Sequence, residues 1–135
     1  MTTTIFIVSG TSYTIPSDMS STQVETIGGG AGTNDSTGSS AFGGAGGGAY
    51  SKTNTVSVTP SGSVTTQVGA GGSRGNPGSG GGDTWFNGAN LAASSCGAKG
   101  GSTTTSATGG AGGTTGGICD TKIAGDAGGN SGAVR

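Results

Sequence analysis

The sequence predicts an all-β chain with no helices: a small β-sandwich or sheet of short antiparallel strands, joined by polyglycine-II-like glycine-rich segments. Three observations predict it. No stretch repeats apolar residues at i, i+3, i+4 and i+7, the mark of an amphipathic helix. Short β-branched and aromatic runs recur, each stopped by Pro, Gly or Asn-Gly. Glycine supplies 34 of the 135 residues, and all of it except Gly10 lies beyond residue 27.

The elements follow in order. Thr3 to Ser9 is β-branched and aromatic and ends at Ser9-Gly10, which predicts a strand. Ser12 to Ile15 predicts a second, stopped by Pro16-Ser17-Asp18. Thr22 to Ile27 alternates, with Thr22, Val24 and Thr26 on one face, and runs into Gly28-Gly29-Gly30. Tyr50 to Thr59 and Ser63 to Val68 flank Pro60-Ser61-Gly62 and read as a hairpin. Thr84-Trp85-Phe86 and Leu91-Ala92-Ala93 are two further short strands, joined through Asn87-Gly88, a preferred type I′ pair.

Between these runs the glycine tracts admit two structures. One is a flexible Gly/Ser linker. The other is packed extended backbone with three residues per turn, in which glycine lets neighbouring segments approach closely and hydrogen-bond to one another. The 22 large apolar residues are too few to order 135 residues by burial alone, which leaves partial disorder, a hydrogen-bonded glycine architecture or order gained through assembly. By composition, residues 1–93 form a strand-rich module with glycine loops. Residues 94–135 form a glycine-rich segment of few side chains, continuous with the first module.

Several function classes are disfavoured. Collagen needs glycine at every third position and abundant proline, and here there are three prolines and no sustained triplet. The net charge of −1, with no basic run, gives no nucleic-acid footprint. The longest large-apolar run, Ile5 to Val8, is far too short to cross a membrane as a helix, so no membrane insertion is expected. The absence of histidine removes the usual Ser-His and Cys-His nucleophile pairs, and no two acids sit close together in an apolar setting. No catalytic, cofactor or metal residues are expected. Gly80-Gly81-Gly82-Asp83 is one imperfect copy of a calcium-binding repeat, and such repeats act in tandem. Cys96 and Cys119 are a candidate disulfide in oxidising surroundings and two free thiols otherwise. Phe42, Trp85 and Phe86 are the candidate receptor contacts, with Trp85 also a candidate core filler.

The order of several motifs goes beyond composition. Tyr13-Thr14-Ile15-Pro16 is followed by Val24-Glu25-Thr26-Ile27-Gly28-Gly29-Gly30, Gly47-Gly48-Ala49-Tyr50, Val58-Thr59-Pro60, Val68-Gly69-Ala70-Gly71-Gly72 and Asp83-Thr84-Trp85-Phe86. In order and spacing, residues 12–130 resemble the glycine-rich domain of bacteriophage tail-fibre and adhesin proteins and of related prophage and bacterial surface proteins. Ser61 stands where that family commonly has Gly, which implies a longer turn. The resemblance implies a virion structural protein for host attachment. Its partners would be copies of itself (a trimer favoured), other virion proteins and a host-surface receptor. A chain start without a signal-peptide pattern fits synthesis in the host cytoplasm and release at lysis. Alternatives are a capsid decoration or head-fibre protein, a self-assembling extracellular filament subunit and an ice-binding protein.

Overall fold

A computed structural model describes residues 3–35 and 41–132. Among these residues there is no helix, and eight strands form two antiparallel sheets. They are β1 (Ser12–Thr14), β2 (Ser21–Ile27), β3 (Tyr50–Ser57), β4 (Ser63–Gln67), β5 (Thr84–Phe86), β6 (Cys96–Ala98), β7 (Thr115–Gly116) and β8 (Thr121–Ile123). One sheet has the order β1-β4-β5-β6-β7 and the other β2-β3-β8. Strands β2 and β3 pack on β5 and β6, which makes a small sandwich.

The sandwich is built by alternation. In β2, Thr22, Val24 and Thr26 turn inward while Ser21, Gln23, Glu25 and Ile27 are exposed. In β3, Ser51 and Thr53 point inward, and then Asn54 and Thr55 are exposed in succession before Val56 turns inward again. The pairing with β2 shifts by one residue there, so a bulge restores the inward parity of Val56. The Asp120 carboxylate accepts the Asn54 N–H at 2.7 Å beside this bulge. The core is Ile15, Val56 and Phe86, bordered by Ile7, Tyr13, Met19, Val24, Val58 and Val64.

Four expectations are corrected. Thr3 to Ser9 forms no strand: Ile7 reaches the core, but Phe6 and Val8 are 83% and 80% exposed. The Tyr50–Thr59 and Ser63–Val68 runs form no hairpin with each other. The Gly62 N–H donates to the Thr59 carbonyl, and Ser61 adopts a left-handed φ of 57°. The turn is therefore tight rather than lengthened, and it passes the chain from the β2-β3-β8 sheet to β4 in the other. Leu91-Ala92-Ala93 is turn rather than strand, and the partner of β5 is β6. Asn87 takes the left-handed conformation expected of that position (φ 57°), but the connection runs on to Ser95.

The glycine tracts are packed backbone. Each of them continues a strand. Three pairs of outgoing and returning segments extend from the sandwich, 28–35 with 41–49 and the continuous excursions 68–83 and 99–114, and a last run, 124–132, leaves it. Their hydrogen bonds repeat every third residue, the period of polyproline-II and not of a strand. Gly28 and Ala31 donate to Ala49 and Gly46, whereas Gly29 and Gly32 donate to Gly82 and Ser79. Gly43, Gly46 and Ala49 donate to Ser106, Ser102 and Lys99. Three segments close a ring: Gly47 donates to Asp126 (2.9 Å), Gly125 to Gly113 (2.9 Å) and Gly113 to Gly47 (2.8 Å). One turn farther along, Gly44 donates to Gly129, Gly128 to Gly110 and Gly110 to Gly44.

Glycine is required there by contact rather than by φ. A Cβ on Gly29 would overlap the Ala70 carbonyl, and one on Gly113 would overlap the Lys99 carbonyl. Backbone of a neighbouring segment occupies the space that a side chain would need.

Candidate functional site

The out-and-back course of the glycine segments determines what lies at the far end of the bundle. Outgoing and returning segments run antiparallel, so residues 33–35 and 41–42 and the bends at 73–78 and 103–108 gather with residues 130–131, away from the sandwich. Hydrogen bonds tie these bends to one another. Gly75 donates to Thr33 and Asp35 donates to Gly75, in a short parallel bridge. Asn34 Oδ1 accepts the Gly78 N–H, and the Arg74 guanidinium pairs with Asp35. Thr103 Oγ1 donates to the Gly32 carbonyl at 2.7 Å. Within the 103–108 bend, Thr104 Oγ1 donates to the Thr108 carbonyl and accepts from Ser106 N–H. Ser131 N–H donates to Ala107, and Asn130 Oδ1 accepts from Gly109 N–H.

This end is polar and built from short side chains. Arg74, Asn76, Pro77 and the 105–108 stretch are exposed, and Phe42 is half-buried beside Gly43. Arg74 and Asp35 form an exposed ion pair, which contributes little to stability and leaves charges of both signs at the surface. An arrangement of this kind can hydrogen-bond a polar surface.

The structure separates the three aromatic contact candidates. Phe42 lies at the far end of the bundle, while Trp85 and Phe86 lie on β5 in the sandwich. Phe86 is 6% exposed and central to the core, so it is corrected from surface contact to core residue. Trp85 is half-buried, and its indole Nε1 is buried with no hydrogen-bond partner among the described residues. Asp83 accepts the Gly100 N–H at 3.0 Å through its carboxylate, at the root of an excursion. No group of three or more His, Cys, Asp or Glu among the described residues is placed to hold a metal ion.

The sandwich carries a second exposed feature. Ile27, Tyr50 and Ile123 are cross-strand partners in one row over β2, β3 and β8, with Ile27 and Ile123 68% and 56% exposed. Beside the row, Lys52 and Glu25 approach to 3.8 Å.

Cys96 and Cys119 are brought together as free thiols. Cys96 is wholly buried between the sheets, with Sγ 3.5 Å from Thr26 Oγ1. Burial pushes its thiol pKa up, the neighbouring Cys119 adds to that, and bonds from Thr26 and Thr53 oppose it.

Sequence reasoning missed Asn34, Asp35, Arg74, the Thr104–Ser106–Thr108 network and Asn130. The signal available was local: Asn-Asp, Asn-Pro and Thr/Ser runs between glycine tracts are bend chemistry. What gathers them is the bonding between segments distant in sequence.

Fold and far-end bends together define a class: a helix-free sandwich extended by a backbone-bonded glycine bundle. A family model described as a glycine-rich domain matches residues 7–134, and the chain belongs to that family. No curated protein and no solved structure matches it.

Proposed function

We propose that the chain is a non-enzymatic structural protein of a phage virion, a tail-fibre or adhesin element for host attachment. One observation carries this reading: four separate stretches of polar residues converge at the end of a bundle stiffened by backbone hydrogen bonds. A scaffold that fixes bends by bonds between glycine backbones leaves their side chains free to vary and to contact a surface. Contact acts through Arg74, Asn76, Phe42 and the 105–108 bend. Phe6, Val8 and the Ile27–Tyr50–Ile123 row, at the sandwich, face copies of the chain or other virion proteins, because exposed apolar groups of this size mark interaction surfaces. A homo-oligomer, with a trimer favoured, follows from that assembly. Synthesis in the host cytoplasm and release at lysis complete the reading.

The test is binding of purified protein to a panel of bacterial cells, beside a double variant, Arg74→Glu with Thr105→Lys. Binding that the variant loses, with its thermal midpoint unchanged, supports attachment. Absence of cell binding with saturating occupancy of capsids turns the reading to decoration. Homopolymeric fibres formed without virions turn it to a filament subunit.

A further inference from the structure

The two cysteines are held at one place by contacts that do not involve their own sulfurs. Thr53 Oγ1 on β3 lies 2.8 and 3.2 Å from the carbonyls of Ser95 and Ile118 and shares its one hydrogen between them. These are the residues immediately before Cys96 and Cys119. Ile118 N–H also donates to the Ser94 carbonyl at 3.0 Å, and β6 pairs with β7 through Gly97 and Gly116. The Cys96 stretch is thus held on both sides of its cysteine, and the Cys119 stretch is held just ahead of its own. Cys119 Sγ then lies 3.3 Å from the nitrogen of Gly97, the residue that follows Cys96. The thiols now donate weakly to carbonyls, Cys119 to Gly116 and Cys96 to Val24, so little is lost if those bonds are given up.

Their exposures differ: Cys96 has no exposed surface, while Cys119 is partly exposed and is the residue an oxidant meets first. That is the arrangement of an attacking thiol backed by a resolving one.

We propose that Cys96 and Cys119 form a disulfide by exchange with a low-molecular-weight disulfide once the chain leaves a reducing compartment. Cys119 thiolate attacks one sulfur of the small disulfide. That S–S bond breaks, one small thiolate leaves and takes up a proton, and a mixed disulfide remains on Cys119. Cys96 attacks Cys119 Sγ, the mixed S–S bond breaks, and the second small thiolate leaves carrying the proton that Cys96 gives up. Two protein thiols are oxidised and one small disulfide is reduced to two thiols. The new bond staples the root of the 99–114 excursion, joining β6 to the stretch between β7 and β8. Assembly takes place with reduced thiols, and stapling follows.

The experiment treats the full folded chain with oxidised glutathione at mildly alkaline pH and reads intact mass and peptide maps. The expected result is loss of two hydrogens, no retained glutathione, and one cross-linked peptide pair containing Cys96 and Cys119. The thermal midpoint rises by roughly 10 °C over the same protein in reductant, as expected for closing a loop of this length. Cys96→Ser is expected to stop at a stable glutathione adduct on Cys119. Unreacted thiols in the native chain, a stable adduct on Cys119, or cross-linked dimers would each overturn the proposal. The mass readout on the unaltered protein decides the matter even if a cysteine variant fails to fold.

Discussion

The sandwich and the glycine bundle belong to one chain and are built by opposite rules. In the sandwich the period is two, and order comes from side chains that fill space: Ile15, Val56 and Phe86 meet between sheets. In the bundle the period is three, and order comes from side chains that are missing: backbones touch where a Cβ would stand. A chain with few large apolar residues can therefore be ordered, provided that its backbone donors find acceptors on other segments.

The largest effect is expected from removing a side chain in the sandwich. Phe86→Ala should cost about 3–5 kcal/mol, measured by denaturant unfolding, because its neighbours belong to both sheets and cannot collapse on the cavity. A loss under 1 kcal/mol would mean that the bundle, and not this core, sets the stability. Adding a side chain in the bundle should cost nearly as much. Gly29→Ala places a methyl on the Ala70 carbonyl, and about 3 kcal/mol is expected, at the upper end for overpacking because backbone has to move.

An intermediate effect is expected from pH on the reduced protein. The folded Cys96 thiol holds its proton above its ordinary value of 9.0, so the unfolded chain loses that proton first. Its contribution to stability is complete below that value and is lost as pH rises through the raised one. Melting curves from neutral to alkaline pH should show a fall that Cys96→Ser removes; an unchanged fall in the variant would assign it elsewhere. The smallest effect sharpens the comparison most. At Gly30, next to Gly29, a Cβ would meet nothing within 4 Å, and φ is ordinary. Gly30→Ala should be neutral or stabilise by about 0.5 kcal/mol, by restricting the unfolded chain. Adjacent glycines would then respond with opposite sign, and equal losses at both would refute the packing rule.

The strands were largely legible and their partners were not. Thr22–Ile27 and Thr84–Phe86 could be read from alternation, β-branching and breakers, all of which are local. Pro60-Ser61-Gly62 could be read as a turn, but nothing local says that it changes sheets, because β4 is chosen by β1 and β5. The run from Thr3 to Ser9 has strand composition and no strand, since composition supplies no pairing edge. In the bundle the triplet was hidden by crowding. The central 43–49 segment has bonded neighbours on several sides and has no room for a Cβ at Gly43, Gly46 and Gly48, off a single triplet, whereas in 124–130 only Gly125 and Gly128 face inward while Asp126 and Ala127 are exposed. A mixture of the two obscures a period of three.

The far-end residues were the least legible. Asn34, Arg74, Thr104 and Asn130 lie in four separate parts of the chain, and each alone is ordinary bend chemistry. Cys96 and Cys119 could be read as a candidate pair, but the Thr53 hydroxyl that clamps the residues before them could not.

By itself the sequence determined the class of the fold, the positions of most strands, and where glycine would replace side chains. Those properties depend on neighbours along the chain, through alternation, branching and breakers. Only the tertiary structure decided that the glycine tracts are a bonded bundle, which bends share its far end, and that the thiols are adjacent. Those depend on which backbone donors find acceptors tens of residues away, and a glycine carries no side chain to record its partner.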